Sequence, residues 1–91
     1  MLGILDDVKV LELSNIVGGA FLAKLLADQG AQVIKIEKPK EGDYTRHEPP
    51  FFGGIPDPEK STLYLAMNTN KRGVTLDLEN AAGRELFLKL V

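Results

Sequence analysis

The run Val8-Lys-Val-Leu-Glu-Leu-Ser-Asn-Ile-Val-Gly-Gly-Ala-Phe-Leu-Ala-Lys-Leu-Leu-Ala-Asp-Gln-Gly-Ala-Gln-Val-Ile-Lys-Ile-Glu-Lys-Pro39 reads as strand, turn, helix and strand. Val8 to Leu13 is aliphatic and β-branched, and short enough for a buried strand. Ser14 to Gly19 interrupts it with a polar pair and two glycines. From Ala20 to Gln29 the chain consists of strong helix formers. Phe21, Leu22, Leu25 and Leu26 recur there at spacings of three and four, which predicts that they form the core face, with Lys24 and Asp28 opposite. Gly30 stands where a left-handed C-terminal cap is needed, a conformation that only glycine adopts without a Cβ penalty. Ala31 to Glu37 gives a second strand, and Pro39 stops it.

Two strands joined by a helix of this length run parallel, because an antiparallel pair needs only a tight turn. The crossover is right-handed. The expected fold is therefore α/β, built on a parallel βαβ core. In open parallel sheets ligands bind beyond the carboxyl ends of the strands, which here are Ser14 to Gly19 after the first and Glu37 to Lys38 after the second.

The composition fits a packed soluble domain. Among 91 residues, 44% are hydrophobic and 26% charged, which argues against disorder. No apolar run approaches the roughly 20 residues that span a bilayer, and no signal-peptide pattern opens the chain, so neither a membrane nor export is expected and the cytoplasm is. There is no cysteine and only one histidine, His47, so thiolate and histidine metal sites are excluded and no metal is expected. A net charge of −2 offers nucleic acid no broad attraction, so any anion site must be local.

Outside the central run, Leu2, Ile4 and Leu5 are expected to cover the end of the sheet. Lys38 to Ser61 holds all five prolines and reads as one structureless loop, longer than the ~12–15 residues that compact domains tolerate without a functional reason. Leu63 to Met67 reads as a short strand, Asn68 to Gly73 as a polar turn, and Val74 to Leu78 as a strand with one wetter face. Asn80 can cap a last helix from Ala81 to Val91, whose Leu86, Phe87, Leu90 and Val91 share a side. That helix is still amphipathic where the sequence stops, which gives the chain the look of a cut piece, poorly folded and inactive alone.

Several groupings invite chemistry, each with a plainer alternative. Gly18 and Gly19 before a helix leave backbone amides open to a phosphate at a positive helix end, or simply make a turn. Glu37 sits where a dinucleotide-binding acid would hold a ribose, but the Gly-x-Gly-x-x-Gly spacing is missing, which disfavours a nicotinamide site. Lys71 and Arg72 can hold a phosphate or be a solvated turn, with Lys38 a third cation near the same edge. Asp43 and Arg46 are read as a loop-fixing salt bridge. His47 receives no role. Ser14 lacks a glycine-bracketed elbow, so no nucleophile is nominated.

Taken together the segments resemble the amino-terminal part of the class III CoA-transferase family, which includes an α-methylacyl-CoA racemase branch. The resemblance rests on Val10 to Ser14, Leu25 to Pro39, Gly42 to Arg46, Asn68 to Arg72 and Val74 to Leu78, in that order and spacing. It implies a Rossmann-like core, the amino-terminal part of a larger domain in which residues 1–91 are an incomplete segment. It also implies that coenzyme A, as an acyl-CoA thioester, is bound through Val17, Gly18, Lys38, Thr69, Asn70, Lys71 and Arg72. Gly18-Gly19-Ala20 departs from the family's frequent Ala-Gly-Pro, and Lys38 stands where arginine is common. The implied reaction moves CoA between carboxylic acids through an enzyme aspartyl intermediate whose aspartate lies beyond residue 91, in an interlocked homodimer. The alternatives are a racemase-type epimerase segment, a non-catalytic CoA- or nucleotide-binding module, and part of a dinucleotide oxidoreductase.

Overall fold

The computed structural model describes residues 3–14 and 17–91. Strand β1 (Lys9–Glu12), helix α1 (Val17–Asp28) and strand β2 (Gln32–Glu37) form the expected βαβ unit. Two short 3₁₀ turns, Tyr44–His47 and Phe52–Gly54, precede helix α2 (Thr62–Met67). Strand β3 (Arg72–Thr75) and helix α3 (Ala81–Leu90) follow. The sheet runs β1-β2-β3, parallel throughout, with Val10 opposite Val33, Glu12 opposite Lys35, and Glu37 opposite Thr75.

The end of α1 is a Schellman motif. Gly30 takes φ +104° while its N–H bonds to the Ala27 carbonyl, and the Ala31 N–H reaches back to Leu26. Leu26 and Ala31 then both join the core around Ala23, Ala27 and Val33, with Leu5 and Val10 packed against it. The cap thus sets the angle at which the chain re-enters the sheet.

The buried face of α1 differs from the expected one. Ala20, Ala23 and Ala27 face the sheet, whereas Phe21, Leu22 and Leu25 are exposed, Leu22 at 60%. Alanines have no bulk to hold the helix away, so it lies close on β1 and β2, and the larger side chains project outward. In the lead-in, Leu5 packs on the core, but Ile4 is exposed and Leu2 lies outside the described residues.

Three other expectations change. Residues 63–67, read as a strand, form α2, because Ser61 caps the run by accepting from the Tyr64 N–H. A short apolar run does not distinguish helix from strand by itself. The loop over residues 38–61 is not structureless: Asp43 caps the first 3₁₀ turn, and Phe51 bridges to Ser61. Strand β3 also starts and ends earlier than expected. Its partner β2 stops at Glu37, so after the Leu76 N–H bonds the Glu37 carbonyl (3.0 Å) the ladder has nothing further to pair with.

Asn80 caps α3 as expected, its side chain accepting from the Ala82 N–H at 2.8 Å. Gly83 lies against the Asp77 backbone, leaving no room for a Cβ. Leu86, Leu88, Leu90 and Val91 remain exposed. Among the described residues no helix is long and apolar enough to cross a membrane.

Candidate functional site

All three strands end at one open cleft of about 450 Å³. Leu13 and Ser14 follow β1 into it, and Lys38, Pro39 and Lys40 follow β2. Leu76, Asp77, Leu78 and Glu79, freed by the early end of β3, form the opposite wall. This is the carboxyl edge where a parallel sheet binds ligands. The Lys38 side chain is 57% exposed, with Nζ 2.9 Å from the Glu41 carboxylate. Beside the cleft, Gly18 in the first turn of α1 has open space where a side chain would stand. Gly19 does not: a Cβ there would collide with Ser14.

Behind the cleft, on the α1 side of the sheet, lies a chain of buried charges. Alternation along a strand puts Glu12 on the face of Val10, and Lys35 and Glu37 on the face of Val33. Lys35, 1% exposed, places Nζ 2.8 Å from Glu12 Oε2 and 2.6 Å from Asp43 Oδ2. Lys71 Nζ lies 2.6 Å from the other Glu12 oxygen. Glu37 accepts from Arg46 Nε and Nη2 and from the Asp43 N–H, each at 2.7 Å, and from the Tyr64 hydroxyl at 2.6 Å. The Arg46 guanidinium stacks 3.8 Å from the Tyr64 ring centre. Three carboxylates and three cations thus balance inside the fold, which is what makes burying them tolerable.

Their titration follows from these contacts. Burial alone pushes the Glu37 carboxyl up, but Arg46, Tyr64 and the Asp43 amide outweigh it and bring it down to about 2. Glu12 and Asp43 show the same contest: burial raises each, while Lys35 and their other donors hold both below the usual carboxylate range. Burial lowers the Lys71 ammonium, with Glu12 acting against it. Burial and the Glu37 contact raise the Tyr64 phenol.

The geometry changes how these charges read. Asp43 and Arg46 do not pair with each other; Asp43 turns inward to Lys35, and Arg46 grips Glu37. Glu37, at the cleft's edge, is engaged by four donors, in keeping with the sequence's weak case for a ribose-binding acid. The cations do not converge either. Lys38 follows β2 into the cleft, whereas the turn at residues 68–71 leads into the opposite, amino end of β3.

The sequence profile of CoA-transferase family III matches residues 5–91. The chain belongs to CoA-transferase family III. It is 40% identical over 90 residues to a succinyl-CoA:mesaconate CoA-transferase of Haloarcula hispanica, covering 99% of this chain and 22% of that protein. A formyl-CoA:oxalate CoA-transferase of Rhodopseudomonas palustris is 42% identical over 89 residues, covering 96% and 20%. Among solved structures, a CAIB/BAIF family protein from Brucella suis superposes with a TM-score of 0.84 at 42% identity, covering 99% of this chain and 24% of that one. The chain spans about a fifth of the length of these curated relatives.

Within this family III segment the expected binding residues fall into separate places. Val17 and Gly18 open α1, and Lys38 lines the cleft; Asn15 and Ile16, between Ser14 and α1, lie outside the described residues. Thr69 is exposed, and Asn70, at φ +64°, donates to Asp28 Oδ1 (2.7 Å) at the far end of α1. Lys71 is 2% exposed at its side chain, while Arg72 sits exposed beside Ile34, on the sheet face away from α1. Sequence reasoning missed Glu12, Lys35 and Tyr64. Charged residues at the inward positions of two otherwise apolar strands were the available signal.

Proposed function

We propose that this chain supplies the coenzyme A-binding, amino-terminal part of an enzyme that transfers CoA between carboxylic acids. The observation that carries the proposal is the cleft at the common carboxyl edge of three parallel strands, walled by Lys38 and by residues 76–79, in a chain of this family. Lys38 would meet a phosphate of the nucleotide as a point charge, and the open backbone at Val17 and Gly18 would approach the pyrophosphate at the positive end of α1. Whole relatives transfer CoA to mesaconate or oxalate, so small carboxylic acids are the acceptor class we propose.

In the whole protein the reacting carboxylate would be an aspartate outside residues 1–91. It would attack the thioester carbonyl and expel CoA thiolate, giving an acyl anhydride; the thiolate then attacks the aspartyl carbonyl, giving an enzyme-bound CoA thioester and releasing the donor carboxylate. The acceptor carboxylate then attacks that thioester and expels CoA thiolate, giving a second anhydride; the thiolate attacks its acceptor carbonyl, forming the new CoA thioester and freeing the aspartate. An interlocked homodimer in the cytoplasm completes the reading. The test is exchange: full-length protein, an acyl-CoA donor and a labelled dicarboxylate should yield the labelled CoA thioester. Epimerisation of a 2-methylacyl-CoA without exchange would instead support a racemase.

A further inference from the structure

The two ends of the segment between β1 and α1 are tied to each other through Glu12 and Lys71, which do not line the cleft. Ser14, on the cleft wall, donates through its hydroxyl to Glu12 Oε2. The other oxygen of the same carboxylate is 2.6 Å from Lys71 Nζ. Lys71 in turn donates to the Ala20 carbonyl at 2.9 Å, in the first turns of α1, and to Asn68 Oδ1 at 2.7 Å. Two hydrogen bonds and the ion pair with Glu12 thus surround the ammonium. The Lys71 side chain is 2% exposed, so a phosphate in the cleft does not reach it. The chain Ser14–Glu12–Lys71–Ala20 therefore spans the segment from one side to the other, and the crowding of Gly19 on Ser14 shows how closely its ends are held.

We infer that Glu12 and Lys71 are positioning residues: they fix the first turns of α1 against the end of β1, so that the ligand meets a preformed backbone, and they do not touch it. This rests on the coenzyme A reading for its effect on binding, but the tie itself can be measured without ligand. A preorganised backbone spares the ordering that binding would otherwise require. Lys35, on the second face of the Glu12 carboxylate, holds that carboxylate in place from β2.

The test uses full-length protein carrying Lys71→Met, Glu12→Gln, both together, or Lys71→Arg, with Lys38→Ala as comparator. Hydrogen exchange at residues 21–24, whose amides bond to the first turn of α1, should speed up in Lys71→Met and Glu12→Gln but not in Lys38→Ala. Both variants should weaken CoA and 3′-dephospho-CoA by the same factor, about tenfold, as expected for loss of a buried charged hydrogen bond. The double variant should be little worse than either single one, because both act through one tie. Lys71→Arg should recover part of the protection. Loss of CoA binding with unaltered 3′-dephospho-CoA binding would overturn the inference and place Lys71 on a phosphate. Unchanged exchange in Lys71→Met and Glu12→Gln would overturn it as well. If Lys71→Met does not fold, the near-isosteric Glu12→Gln carries the same comparison. If the parent protein binds neither ligand, the coenzyme A reading fails, while exchange still decides the tie.

Discussion

Arg46 holds Glu37 with two parallel hydrogen bonds, Nε to Oε2 and Nη2 to Oε1, each 2.7 Å long. This bidentate grip joins the loop after β2 to the strand's last residue, and Tyr64 closes it from α2 by stacking on the guanidinium and donating to the carboxylate. The wall of the cleft is therefore built on an ion pair.

That pair makes stability pH-dependent with a definite sign. The folded Glu37 carboxyl titrates near about 2, against an ordinary 4.5, so its contribution is fully present above pH 4.5 and is lost as pH falls toward 2. The shift corresponds to about 3 kcal/mol. Glu12 and Asp43 are also depressed and act in the same direction. Denaturant melts across this acid range should show a steep loss in the parent and a shallower one in Glu37→Gln. Equal slopes would contradict the assignment.

Gly42 and Gly18 should respond in opposite ways to alanine. Gly42 has φ +65°, and a Cβ there would come within 2.5 Å of Glu37 Oε2 and 3.1 Å of Arg46 Cδ. Gly42→Ala should destabilise by about 1–3 kcal/mol through backbone strain and displacement of the pair. Gly18→Ala meets nothing within 4 Å and lies in a helix, so it should leave stability equal or raise it by up to about 1 kcal/mol. It should nonetheless weaken CoA if the backbone there approaches the pyrophosphate. Thermal melts and CoA titrations of both variants separate these effects.

The alanine face of α1 can be tested by volume. Ala23 is buried against the sheet, so Ala23→Leu should cost about 1–3 kcal/mol by overpacking. Had Phe21, Leu22 and Leu25 formed the core face, Ala23→Leu would have been nearly silent. Chemical denaturation gives the answer directly.

Lys38→Ala should reduce CoA affinity by about 1.5–3 kcal/mol, the range of a hydrogen bond to a charged group, without altering the thermal midpoint, because the Lys38 side chain is largely exposed. Calorimetric titration of the full-length protein measures it. An unchanged affinity would remove Lys38 from the site.

Local chemistry was enough to specify the βαβ unit. Val8 to Leu13 and Ala31 to Glu37 are short β-branched runs bounded by turn residues, the ten residues from Ala20 prefer a helix, and Gly30 supplies the left-handed conformation that ends it. The carboxyl edge followed from parallel pairing alone, and family membership from the order and spacing of short segments. Tertiary structure decided the rest, because the remaining choices depend on partners distant in sequence. Thr62 to Met67 became a helix when Ser61 capped it and Tyr64 reached Glu37, 27 residues away. The ion pairs of Lys71 with Glu12 and Lys35 with Asp43 cross between separate segments, so no reading of neighbours could assign them. Period and capping are short-range properties, and a sequence displays them directly. Which carboxylate a buried cation meets is settled only when packing brings the strands, the loop and the helices together and excludes water from between them.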